Sequence, residues 1–80
     1  MKLNQALKNY ITVSSDILGG TPVFKNTRVP VKILFDYLKN GENINEFLDN
    51  YPTVKPDLVT KIIEIVATRF TKIDNNESAA

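Results

Sequence analysis

Apolar side chains return every three or four positions in four stretches of this 80-residue chain. Leu3, Ala6, Leu7 and Tyr10 form one stripe of a short helix within residues 1–10. Val31, Leu34, Phe35 and Leu38 make the buried stripe of a helix over 31–40, with Lys32, Asp36 and Lys39 opposite. Ile44, Phe47 and Leu48 define a brief helix over 44–50. From Pro56 onward, Leu58, Val59, Ile62, Ile63, Val66 and Phe70 give a longer helix a wide apolar face, with Ile65 and Ile73 beyond the main stripe.

The boundaries of these helices are written in residues with known terminal roles. Pro30 precedes the first turn of the 31–40 helix, and Gly41 follows it as a left-handed cap. Asn43 and Glu46 have the spacing of a capping box, and Tyr51-Pro52 ends the brief helix. Pro56 suits the first helical position, and Asp57 complements the dipole. The tail Asn75-Asn76-Glu77-Ser78-Ala79-Ala80 has nothing to bury and is expected to be mobile.

Residues 11–30 follow the other period. Ile11-Thr12-Val13 reads as a strand, and Ser14-Ser15-Asp16 as a turn. Val23-Phe24 and Thr27-Arg28-Val29 read as two very short strands around a Lys25-Asn26 turn, since Asn tolerates the left-handed conformation. Such strands cannot stand alone and present unpaired edges, which the same arm of a second subunit would satisfy. The expected fold is mostly α with a short N-terminal β-arm. It is a three-helix, homeodomain-like or helix-turn-helix bundle, dimeric through the arm. Its parts are a helical segment over 1–10, the arm over 11–30, the bundle over 31–72 and the tail over 73–80.

The run Gly19-Gly20-Thr21-Pro22-Val23-Phe24-Lys25-Asn26-Thr27-Arg28-Val29-Pro30-Val31, followed by Gly41-Glu42-Asn43-Ile44-Asn45-Glu46 and Tyr51-Pro52, resembles a known family. It is the domain of unknown function four hundred thirty-three family, often described as VapB-like antitoxin. The likeness runs from about Ile11 to Arg69, with Asn26 where the family usually has Gly. The resemblance implies a small cytoplasmic dimer that binds and silences a PIN-like ribonuclease toxin, whose active site is a cluster of carboxylates, and that also binds its own promoter DNA.

Composition narrows the chemistry. There is no cysteine and no histidine, which removes disulfides, thiolate metal sites and the commonest general base. Nine carboxylates show no metal-ligand spacing, and Gly19-Gly20 lacks the lysine of a phosphate loop. No enzyme activity and no cofactor are expected. No apolar run approaches the ~18 residues that span a bilayer, and Met1-Lys2-Leu3 does not begin a secretory signal. A cytoplasmic protein without membrane contact is the expectation. Ten cations against nine anions leave a net charge of +1, which gives no push toward nucleic acid.

Two groups of residues are candidates for binding. Lys25, Thr27, Arg28 and Lys32 form a basic arm suited to an acidic partner, since guanidinium groups bind carboxylates in bidentate fashion. Against that stands an architectural role, with Thr27 satisfying the turn and Arg28 paired to Asp36 or Asp49. Lys55, Thr60 and Lys61 would read DNA if the third helix were a recognition helix, although Asp57 and Glu64 share its polar face. Three functions follow: an antitoxin-like interaction protein, a helix-turn-helix regulator without a toxin, or a dimeric scaffold for another protein.

Overall fold

The computed structural model describes the backbone of residues 5–78 and side chains up to residue 69. The chain runs through a 3-10 turn at Leu7–Asn9, β1 (Ile11–Thr12), a second 3-10 turn at Leu18–Gly20, and β2 (Val23–Phe24). Three α-helices follow among the described residues: α1 (Val31–Lys39), α2 (Ile44–Asn50) and α3 (Pro56–Ser78). The protein is mostly helical, with one two-stranded antiparallel sheet near its start.

The expected helix terminators do what their chemistry suggests. The Asn43 side chain accepts a hydrogen bond from the Glu46 amide at 2.8 Å, capping α2. After α1, Gly41 takes φ 82°. Its N–H donates to Leu38 O at 3.1 Å, and the Glu42 N–H donates to Tyr37 O at 2.9 Å, so the last carbonyls are satisfied. By contrast α3 has no glycine or proline after Pro56 to stop it. It continues to Ser78, and residues 73–78, expected as a tail, are helical in backbone.

The arm departs from expectation in its register. β2 pairs with β1, matching Ile11 to Phe24 and Thr12 to Val23, and the return leg touches β2 only at a Val23–Pro30 bridge. Thr27-Arg28-Val29 is not a strand. Instead the Phe24 N–H donates to Val29 O at 3.0 Å, so residues 25–28 form a four-residue loop rather than a two-residue turn. Thr27 is the cause. Its hydroxyl donates to Phe24 O at 2.8 Å and accepts from the Val29 amide at 3.1 Å, replacing ladder bonds with a local clasp. Asn26 does take the left-handed conformation, at φ 63°. The first segment also differs: its described part is a single 3-10 turn, closed by the Tyr10 N–H on Leu7 O at 2.9 Å. Leu3 of the expected stripe lies outside the described residues.

The core gathers Ile11, Phe24, Val31, Leu34, Phe47, Val54, Val59 and Ile62. Phe47 is fully buried at its centre. Its ring meets Phe24 at 5.6 Å, Tyr37 edge-on at 5.5 Å and Tyr51 at 5.2 Å. This aromatic cluster turns α1. Ile33 and Tyr37 pack on the core, while Phe35 and Leu38, expected in the buried stripe, stand 37% and 38% exposed. Six of nine residues in α1 are apolar, so two overlapping stripes were open to it. Packing of Tyr37 against Phe47 chose between them.

Candidate interaction surfaces

Among the described residues, two concave surfaces beside the core gather candidate binding residues. The first is an apolar groove of about 330 Å³ between α1, α3 and the start of the chain. Leu7, Ile11, Pro22, Val31, Phe35, Ile62 and Val66 line it, with Thr21 and Lys32 the polar members. Phe35 forms one wall and Leu38 follows it one turn later on the same face of α1. Large apolar side chains also stand out at Val13 and Leu18. Leu18 is half exposed although its φ of 48° lies in the left-handed region that side chains avoid at a cost of ~1–2 kcal/mol. The Thr21 hydroxyl donates to Leu18 O at 2.8 Å and closes this turn.

The second is a polar cleft of about 400 Å³ where the 25–28 loop meets the first 3-10 turn and the start of α3. Asn9, Tyr10, Lys25, Asn26, Thr53, Lys55 and Leu58 line it. Lys25 was expected in a protein-binding arm and Lys55 in a DNA-reading helix. The fold brings both to one cleft.

The remaining candidates are separated. Lys32 borders the apolar groove and pairs with Asp36 across one helical turn at 3.2 Å, both exposed. That pair removes Asp36 as a partner for Arg28, which is exposed and in no ion pair among the described residues. Thr27 is half-buried and bonded within its own loop, the architectural role weighed above. Thr60 and Lys61 are exposed on α3, and Lys61 lies 3.8 Å from Glu64. Periodicity had missed Val54, buried in the α2–α3 connection, and the packing roles of Tyr37 and Tyr51. Only the flanking Pro52 and Pro56 marked that connection as tight.

Among the described residues no side-chain polar atom is buried without a partner, and no group of three His, Cys, Asp or Glu could hold a metal ion. No helix among the described residues is long and apolar enough to cross a membrane.

Comparison with known proteins places the chain without naming its activity. The uncharacterized protein y4eO of Sinorhizobium fredii (strain NBRC 101917 / NGR234) is 35% identical over 54 residues, 68% of this chain. The chain spans about a quarter of that relative, 24% of its length. No solved structure matches. The model of the family described as "Protein of unknown function (DUF433)" matches residues 11–64, from β1 into the middle of α3, and the chain belongs to that family.

Proposed function

We propose that this protein is an antitoxin-like interaction module, a cytoplasmic homodimer that binds and neutralises a PIN-like ribonuclease. The observation that carries this reading is the open apolar face of α1: Phe35 and Leu38 are partly exposed beside an apolar groove. A domain of this size buries only ~60% of its unfolded surface, so a second macromolecule is the economical cover. Leu18, held toward solvent in a strained turn, extends the apolar display. The exposed cations Lys25 and Arg28, with Lys32 beside the groove, suit the acidic site of such a nuclease. The homodimer forms through the arm or through the α1 face, and the chain does no catalysis of its own.

Co-expression tests the proposal. A nuclease encoded beside this gene should arrest growth alone and be relieved by this chain. Continued arrest in the presence of folded protein would overturn it.

A second reading has one observation in its favour. α2, a five-residue connection and α3 follow one another as in a homeodomain-like DNA reader, with Lys55, Thr60 and Lys61 exposed. Promoter binding that weakens steeply as salt rises would support it, and no binding at low salt would remove it.

A further inference from the structure

We infer that the polar cleft between the 25–28 loop and the start of α3 is a receptor for carboxylate side chains of an acidic protein segment. It rests on the reading that this chain binds an acidic protein, and it assigns the contact to Lys25 and Lys55.

The cleft is built from unused donors. Among the described residues, the side chains of Asn9, Lys25, Asn26, Thr53 and Lys55 are in no hydrogen bond or ion pair. No aspartate or glutamate lines the space. Side chains bearing two ammonium groups, two amides and two hydroxyls therefore line a volume of about 400 Å³, room for one or two acidic side chains. Tyr10 and Leu58, both half-buried, supply an apolar floor that lowers the local dielectric and strengthens charge-assisted bonds.

The backbone that carries these donors is itself bonded. The Lys25 amide donates to Tyr10 O at 3.0 Å, tying the loop to the segment that carries Asn9. Asn26 is fixed in the left-handed conformation, and the Leu58 amide donates to Lys55 O at 3.0 Å as α3 begins. The backbone around both lysines is thus bonded before any partner arrives, which lowers the entropy cost of binding.

Charge distribution favours a protein carboxylate over a nucleic-acid backbone. A phosphate chain presents repeated charge and needs a track of cations. Beyond Lys55 the exposed flank of α3 carries Asp57, and then Glu64 beside Lys61, which would repel the next phosphates. An acidic side chain entering the cleft end-on needs only the two lysines and no further track of cations.

The test is a titration of isotope-labelled protein, followed by amide chemical shifts, with a blocked hexaglutamate peptide, inorganic phosphate and a short single-stranded oligonucleotide. The peptide should give saturable shifts at Asn9, Lys25, Asn26, Thr53 and Lys55. Lys25→Gln and Lys55→Gln should each weaken it about threefold, as for an exposed ion pair. Lys39→Gln should not. The inference is overturned if those amides do not move, if Lys39→Gln weakens binding equally, or if phosphate or the oligonucleotide saturates the site more tightly. Peptide binding at the cleft without relief of nuclease toxicity would leave the cleft standing and remove the antitoxin reading.

Discussion

The two sides of α1 are built from similar residues and end in opposite states. On one side Tyr37 and Leu34 close onto Phe47, whose ring is surrounded by Phe24, Tyr37 and Tyr51. On the other, Phe35 and Leu38 face a groove and solvent. Hydrophobicity does not separate them, because both sides are apolar. What differs is the supply of partners within 80 residues. The closed side meets α2, the arm and the α2–α3 connection at once, while among the described residues the open side borders a groove walled by Leu7, Ile11, Pro22, Ile62 and Val66 that they do not fill. One face is closed into the core; the other stays open beside the groove.

Truncating the centre of the closed side should have the largest consequence. Phe47→Ala removes a fully buried ring and is expected to cost ~3–5 kcal/mol, most of the stability of a domain this small, as read by urea denaturation. A loss below ~1 kcal/mol would show that the aromatic cluster does not organise the core. The arm's loop comes next. Asn26→Val should destabilise by ~1–2 kcal/mol because a β-branched residue resists φ 63°, whereas Asn26→Gly should fold as well as the native chain. Equal melting of the two variants would mean that the loop conformation is not under constraint.

The open side should behave in reverse. Replacing Phe35 and Leu38 together by Gln is expected to lower unfolding free energy by about 1–2 kcal/mol, less than the loss at Phe47, because each side chain is only partly buried. The same pair should abolish self-association or partner capture, measured by sedimentation equilibrium. Large destabilisation with association unchanged would move these residues into the closed side and erase the contrast.

Much of this layout was legible beforehand because it depends on neighbours in sequence. Helix positions followed from 3.6-residue periodicity, and their ends from Pro30, Gly41, Asn43, Glu46 and Pro56, each acting within one turn of chain. The left-handed Asn26 belongs to the same class. The candidate surfaces were less legible. Lys25 and Lys55 were read as members of different sites, since thirty positions separate them and no periodicity links a loop to a helix start. Loop register also escaped, because one hydroxyl, that of Thr27, outcompeted the expected ladder.

Local chemistry in the chain by itself determined where α1 and α2 begin and end and where α3 starts. Only the tertiary structure decided which stripe of α1 is covered, which strand β2 pairs with and which cations become neighbours. The physical reason is range. Capping, periodicity and backbone preference act over a few residues, whereas burial and shared clefts depend on contacts between segments that are distant in the chain.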